Sequence, residues 1–374
     1  MSLSYDPITA NNHLHSLHII GSEQMGGAER FHVRLVKALN AVGHQATSVN
    51  RASSPIAKIL SNTAFEQIHL PMANQWDVFS IWRIRRLVQQ RQPDIVQTYM
   101  GRATRLTRLS RTGHAVHVAR LGGYYKIAGY YKHAHAWVGN TRGVCDYLIG
   151  AGLPADRVFL IGNFVPEPSP VDEAQLTALR QQLQLPGDAL VVFTLGRLVD
   201  FKGFDDLLQG FAQLAPNVHN RPVHLLIAGD GPLRDELQAL SRQLAIQERV
   251  HWIGWQNEPG SFYRLADCVV CPSRHETLGN VILEAWSYTK PILSTATPGG
   301  LELLRDGDNG LLAPCKDPSR LAQRLRELIT APLAEQQRLA AAGYRDLCQH
   351  HSRAAVVNAY LDLYTLLRER RRSH

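Results

Sequence analysis

The sequence predicts an α/β protein of two doubly wound domains, each a parallel sheet flanked by helices. Three observations carry that prediction. Short β-like runs alternate with helical patterns in both halves of the chain; a proline-rich stretch separates the halves; and several β-like runs end in glycine-bearing turns that lead into helices.

In the first half, strands are expected at "LHSLHII" (14–20), "QATSVN" (45–50), "FEQIHL" (65–70), "DIVQTY" (94–99), "VHVARL" (116–121), "AWVGN" (136–140) and "VFLIGN" (158–163). In the second they are expected at "LVVFTLG" (190–196), "VHLLIAG" (223–229), "VHWIG" (250–254), "CVVCPS" (268–273), "PILST" (291–295) and "GLLAP" (310–314). Between the halves, "NFVPEPSPVDEA" holds three prolines and little apolar content, which suits a linker better than any element interior. The boundary is placed at 165–171, giving an N-terminal domain over 1–165 and a C-terminal domain over 166–351. The remaining segment, 352–374, holds "RAAVVNAYLDLYTLLRERRR", an amphipathic helix with a basic end.

With 374 residues and 45% hydrophobic content the chain can bury two cores of ordinary size. No apolar run approaches the ~20 residues of a membrane-spanning helix. The beginning, "MSLSYDPITANNHLHS", is too polar for a signal peptide, so a cytoplasmic location is expected. Five scattered cysteines do not make a disulfide framework. The pair in "DCVVC" lies in a strand-like run that is expected to put both thiols on one side, as part of a core strand. No second Cys pair or His pair completes a zinc site.

Charge is distributed unevenly. Residues 1–165 carry 18 Lys+Arg against 8 Asp+Glu, a net of +10, whereas residues 166–374 carry 22 against 24, a net of −2. Within the basic half, "GRATRLTRLSR" places Arg102, Arg105, Arg108 and Arg111 three apart, so that on a helix they form one basic stripe. Such a face suits lipid headgroups, a phosphorylated glycolipid or nucleic acid; the alternative is a solvated helix face.

The stretch "GSEQMGGAER" (21–30) is a glycine-rich turn between a strand and a helix. Such a turn gathers unpaired N–H groups at the positive end of a helix dipole, a geometry suited to phosphate. It is not a Walker loop, because Ala28 and Glu29 stand where Lys and Ser/Thr are needed, and the spacing of Gly21, Gly26 and Gly27 does not fit G-x-G-x-x-G. In the second half, "VVFTLGRLVDFKGF" puts Gly196, Arg197, Lys202 and Gly203 in a loop at the carboxyl end of a strand, where open α/β sheets bind ligands. Two cations there suit a diphosphate and would stabilise it as a leaving group; the alternative is a local Arg197–Asp200 pair. "GDGP" adds Gly229 and Gly231 in a turn of the same kind. "ETLGNVILEA" then sets Glu276 and Glu284 eight apart across a helix expected to begin near Leu278. A carboxylate accepts two hydroxyl hydrogen bonds at once, as ribose diols and sugar hydroxyls require. The N–H groups of Leu278, Gly279 and Asn280 can meet further oxygens.

"GGAE" (26–29), "GRLVDFKGF" (196–204), "GDGP" (229–232) and "ETLGNVILEA" (276–285), in that order over nearly the whole chain, resemble the retaining glycosyltransferases of family 4, which have the GT-B fold of two Rossmann-like domains facing a central cleft. The resemblance implies that Arg197 and Lys202 grip the donor diphosphate, Glu284 the ribose and Glu276 the donor sugar. It implies that Gly26 and Gly27 close over the phosphates, that the loop around Ile253 contacts the nucleobase, and that the last helix completes the N-terminal domain. Front-face attack, with the leaving phosphate taking the acceptor's proton, needs neither a side-chain nucleophile nor a metal, so no cofactor is expected. The sequence "DGD" at 306–308 is expected to be a turn. Where many members have a His beyond "VHVAR", this chain has Leu121, Gly122 and Gly123; Arg120, Tyr124 and Tyr125 are the candidate substitutes, while His114 and His117 are expected to be structural.

The resulting expectation is transfer of a hexose or N-acetylhexosamine from a nucleoside-diphosphate sugar, UDP before GDP, to a membrane-associated glycan or glycolipid such as a lipopolysaccharide precursor, by a protein peripheral on the inner membrane. Glu29, Arg102, Arg105, Arg108, Arg111, Arg120 and Tyr124 are the expected acceptor or membrane face. Two alternatives compete. A GT-B sugar-nucleotide epimerase would turn over donor without acceptor. A nucleic-acid-binding protein would explain the charge, but the aromatics are read as not interleaved with the arginines and no such motif is present, so no nucleic acid partner is expected.

Overall fold

The computed structural model describes residues 14–110 and 112–372. These form two compact units. One runs to Gly162 and takes in the chain again from Val356; the other is Asn163–Ala355. The division thus falls slightly ahead of the expected position at 165, and the returning helix joins the first unit at 356 rather than 352.

The first unit holds seven strands: β1 (His15–Ile20), β2 (Gln45–Asn50), β3 (Gln67–His69), β4 (Ile95–Tyr99), β5 (Val116–Leu121), β6 (Ala136–Gly139) and β7 (Val158–Leu160). All pair in parallel in the order β3-β2-β1-β4-β5-β6-β7. Each lies within a run read from the sequence. The sheet is covered on both faces, yet several of its inward positions are polar, and a set of them bond to one another. The Tyr99 hydroxyl meets His18 Nδ1 at 2.8 Å and accepts from Gln97 Nε2 at 2.7 Å. Gln97 Oε1 in turn accepts from Tyr364, and Arg120 Nε donates to Tyr360 at 3.2 Å. Tyr360 and Tyr364 are fully buried, and through these bonds the helix Arg353–Arg372 is fastened to this sheet.

The second unit holds β8 (Leu190–Leu195), β9 (Asn217–Val218), β10 (Arg221–Ala228), β11 (Val250–Gly254), β12 (Cys268–Cys271), β13 (Ile292–Thr295) and β14 (Leu311–Ala313). Six are parallel in the order β11-β10-β8-β12-β13-β14, and β9, two residues long and without a sequence signal, pairs antiparallel with β10. Residues from the two sides of this sheet feed separate cores. Val192, Leu225 and Cys268 join Phe211 and Leu325, whereas Phe193, Leu226 and Cys271 join Ile282 and Trp286. This corrects the expectation for the cysteine pair. Alternation along a strand has period two, so residues three apart face opposite sides, and both thiols are buried in different cores.

Strand order reverses between β1 and β4 in the first sheet and between β8 and β12 in the second. At such points adjacent loops leave in opposite directions and open a crevice at the carboxyl ends of the strands. Among the described residues no helix is long and apolar enough to cross a membrane.

Candidate functional site

At the second reversal point, the loop after β8 meets the loop after β12. The first contains a 3₁₀ turn, Asp200–Lys202, closed by Gly203 in the left-handed region at φ 65°. A Cβ on Gly203 would stand 2.2 Å from the Pro272 carbonyl oxygen, so only glycine lets the loops approach this closely. The N–H groups of Arg274 and His275 both donate to the Phe201 carbonyl, at 2.9 and 3.1 Å. Arg274 then clamps the junction. Its Nε and Nη2 donate to the two oxygens of Asp206, both at 2.8 Å, Nη2 also reaches Asp205 at 2.5 Å, and Nη1 reaches Asp200 at 2.7 Å. Hydrogen bonds to Asp206, with Asp205 and both carboxylate charges, raise the Arg274 pKa against the cost of burial.

This clamp brings Lys202 and Glu276 into contact, Nζ donating to Oε2, with each side chain 21% exposed. Burial opposes the charge on Lys202, but the Glu276 carboxylate and Cys271 outweigh it and hold the ammonium above its usual range. A positive lysine is therefore fixed at the reversal point. Arg197 lies in the same loop, exposed, and its side chain has no hydrogen-bond or ion-pair partner among the described residues. Asp200 is engaged by Arg274, so the Arg197–Asp200 pair weighed from the sequence is not formed.

The neighbouring turns are packed onto this loop by glycines. Gly229 has φ 150°, and a Cβ there would lie 1.9 Å from the Gly196 carbonyl oxygen; one on Gly231 would lie 2.4 Å from that of Leu198. Leu198 N donates to the Asp230 carbonyl at 2.9 Å. Gly229 and Gly231 thus set the position of the Arg197 loop. At the end of β11, Ile253 is half-buried against the core and Trp255 beyond it is exposed.

The helix carrying Glu284 is Asn280–Ser287, with Gly279 as N-cap at φ 82°. It begins two residues later than expected near Leu278, because Gly279 is left-handed and Leu278 is buried outside the helix. Gly299 supports this loop: its N–H donates to the Glu276 carbonyl at 2.8 Å, and a Cβ on it would stand 2.7 Å from the Leu278 backbone. Sequence reading missed Gly299, although "TPGG" after "PILST" is the same strand, glycine and helix signal used elsewhere. It also missed Arg274 and Tyr263. The buried Tyr263 hydroxyl donates to Glu284 Oε2 at 2.9 Å. Burial, and then Glu284, push the Tyr263 pKa up and keep its proton in place. Asn280 Oδ1 accepts from Asn163 at 2.9 Å. The N–H groups of Leu278, Gly279 and Asn280 have no partner among the described residues. The motif at 306–308 is a turn whose Asp306 and Asp308 pair with Arg324 and Arg305.

In the first unit several expected site residues have other duties. The Glu29 carboxylate is buried and accepts the Gly26 N–H at 2.9 Å, so Glu29 caps its own helix, Gly27–Ala41, and cannot form an acceptor face. Gly26 and Gly27 are exposed at the first reversal point; the N–H of Gly26 is taken, while those of Gly27 and Ala28 have no partner among the described residues. The basic stripe is also corrected. The helix Met100–Leu106 ends before Arg108. Arg102 donates to the carbonyls of Gly21 and Met72, both at 3.2 Å, and so ties down the glycine-rich turn. Arg105 donates to Gln75 and Gly129 and stacks on Trp76. Arg108 is exposed in the following loop, and Arg111 lies outside the described residues. Arg120 is buried over Phe31, 3.9 Å from the ring centroid, and is not on an acceptor face. Tyr124 is exposed beyond β5, edge-on to Tyr147. His117 is buried against Thr98, and His114 lies 3.7 Å from Asp94.

Solved proteins share this architecture. A glycosyltransferase from Rickettsia africae ESF-5 superposes with a TM-score of 0.83 at 18% identity, over 96% of this chain and 99% of that one. Anabaena Alr3699/HepE, solved with UDP and glucose, superposes with a TM-score of 0.78 at 19% identity, over 94% and 100%. The fold is GT-B. Residues 25–167 match the Glycosyltransferase Family 4 model and residues 176–346 the model of glycosyl transferases group 1. The lipopolysaccharide core biosynthesis glycosyltransferase LpsE of Rhizobium meliloti (strain 1021) is 32% identical over 350 residues, 90% of this chain and 95% of that protein. The chain belongs to family 4 of the glycosyltransferases.

Proposed function

We propose that the chain is a retaining hexosyltransferase that moves a hexose or N-acetylhexosamine from a UDP-sugar, with GDP-sugars the second choice, to a membrane-associated lipopolysaccharide core acceptor. The observation that carries the donor half is the charged Lys202, held against Glu276 at the reversal point in the same loop as the exposed Arg197. A lysine ammonium has three donors, so Lys202 can hold Glu276 and a phosphate oxygen together. Arg197 adds the planar fork suited to a phosphate. Glu276 then faces the donor sugar's hydroxyls and Glu284, steadied by Tyr263, the ribose diol.

In the proposed step the bond from the anomeric carbon to the leaving phosphate oxygen breaks. The acceptor oxygen bonds to that carbon on the same face, and its proton passes to the departing phosphate. Arg197 and Lys202 meet the charge that grows on the diphosphate, so the reading needs no metal. Support for the donor comes from Alr3699/HepE, solved with UDP and glucose, and for the acceptor class from LpsE and its fellow LpsD, both named for lipopolysaccharide core biosynthesis. The test is a panel of UDP- and GDP-sugars offered with purified core oligosaccharides, the product's anomeric linkage being read by NMR. An axial donor giving an axial linkage is the expected result. An inverted linkage, or donor turnover that ignores acceptor, would replace this reading.

A further inference from the structure

We propose that the helix Val78–Arg91, with the preceding Trp76, is a docking surface for a bilayer bearing anionic headgroups. Four large apolar side chains stand in solvent there: Trp76 at 67% exposure, Val78 at 76%, Phe79 at 52% and Trp82 at 53%. The helix is not loose. Ile84 and Ser80 are buried beneath it, and Ile81, Leu87 and Val88 pack partly on the core of the first unit. The outward face is therefore presented by a fixed element, and exposed aromatics gathered on one such element mark an interaction site.

Against the sequence reading, arginines interleave with these aromatics. Arg83 lies over Phe79 at 5.6 Å, Arg86 over Trp82 at 5.4 Å and Arg105 over Trp76 at 3.8 Å, while Phe79 and Trp82 stack at 6.1 Å. Arg83 and Arg86 have no hydrogen-bond or ion-pair partner among the described residues, and the helix contains no acidic residue. Its N-cap, Asp77, accepts from Ala73 N and from the N–H and hydroxyl of Ser80, so the one carboxylate beside the patch is turned toward the backbone at the helix start. Arg91, at the far end, is paired with Glu66.

Aromatic rings with arginine heads beside them match the water–lipid boundary, where rings enter the headgroup layer and guanidinium groups meet phosphates. The charge decides the occupant: Arg83, Arg86 and Arg105 outnumber the single carboxylate of Asp77, and such a cationic surface complements a uniformly anionic sheet better than the mixed charges of a protein face. This basic surface replaces the one expected at residues 102–111. It goes beyond the transferase reading and uses none of the nucleotide-site residues.

The experiment is co-sedimentation of the full chain with vesicles of phosphatidylcholine alone and of phosphatidylcholine mixed with phosphatidylglycerol. It is run on wild type, the Phe79→Ser/Trp82→Ser variant and the Arg83→Gln/Arg86→Gln variant. Wild type is expected on the mixed vesicles only, and each double variant is expected to lose roughly ten-fold or more in partitioning. The melting temperature, and the shift caused by added UDP, should stay as in wild type, which separates this outcome from failure of the donor reading. Wild type that stays in the supernatant, or binding that survives both double variants, overturns the proposal. So does self-association without vesicles that the Phe79→Ser/Trp82→Ser variant abolishes, because the patch would then serve a second copy of the chain.

Discussion

Lys202, Glu276, Arg197 and Glu284 differ in how they are held, and that difference predicts how their replacements behave. Among the described residues Arg197 touches no other side chain through a polar contact, so Arg197→Ala should leave the melting temperature within about 2 °C while weakening UDP binding. Arg274 is the reverse case. It faces three carboxylates, and Arg274→Ala leaves them crowded without a cation. Thermal denaturation should show a loss of roughly 2 kcal/mol, and activity should fall further than stability because the Lys202 and Glu276 loops lose their clamp. An Arg274→Ala variant as stable and active as wild type would remove Arg274 from the account. The principal charged groups were legible in the sequence because cations in a strand-to-helix loop, and an acid set in "VILEAW", stand out locally. Arg274 and Tyr263 were not, since their importance arises from partners up to 74 residues away, which no local pattern displays.

At the scale of elements, glycines govern which loops can meet. Gly299 places the Glu276–Gly279 loop by having no side chain, and Gly299→Ala should push that loop aside by collision with the Leu278 backbone. The expected result is a folded protein with a melting temperature lower by several degrees and UDP affinity reduced about ten-fold or more, read by calorimetry. Affinity equal to wild type would show that the loop's position does not matter. All the strands but the two-residue β9 were legible as short runs between helical patterns and glycine turns, although β3 and β7 fill only half of the run read for them. The arginines of 102–111 were not: periodicity of three suggested one helix face, whereas Thr107 ends the helix and the carbonyls of Gly21, Met72, Gln75 and Gly129 claim Arg102 and Arg105. The exposed face of the helix Val78–Arg91 shows the same limit. "VFSIWRIRR" is apolar and basic in sequence, and only the packing reveals which apolar residues remain outside.

At the scale of the molecule, both units bury neutral histidines. Burial lowers the His18 pKa to about 3 and that of His251 to about 4, where His224 adds a further lowering effect. His32 and His117 are likewise pushed well below the ordinary range by burial. Each folded-state value lies under the unfolded value near 6.5, so below that pH the unfolded chain binds more protons and is favoured. The stability is complete above about pH 6.5 and is lost as pH falls, by roughly 2 kcal/mol at pH 5 for the fully buried His18 and by less for the partly exposed His251. A melting temperature roughly 10 °C lower at pH 5 than at pH 7 is expected by calorimetry; an unchanged value would mean these rings are charged or hydrated in the folded state. The two-unit architecture itself was legible from alternation and the proline-rich boundary. The histidine network was not, because a buried polar strand residue has the same local sequence context as an exposed one.

The central claim is that Lys202 and its neighbours form a nucleoside-diphosphate site. The most direct measurement is a thermal-shift titration of UDP, GDP and ADP and their sugar conjugates, on wild type and on Lys202→Ala, since a ligand that binds the folded state alone raises its melting temperature. A rise with UDP and UDP-sugars that disappears in the variant is the predicted result. No rise with any nucleotide at millimolar concentration, or a rise of equal size in Lys202→Ala, would contradict it.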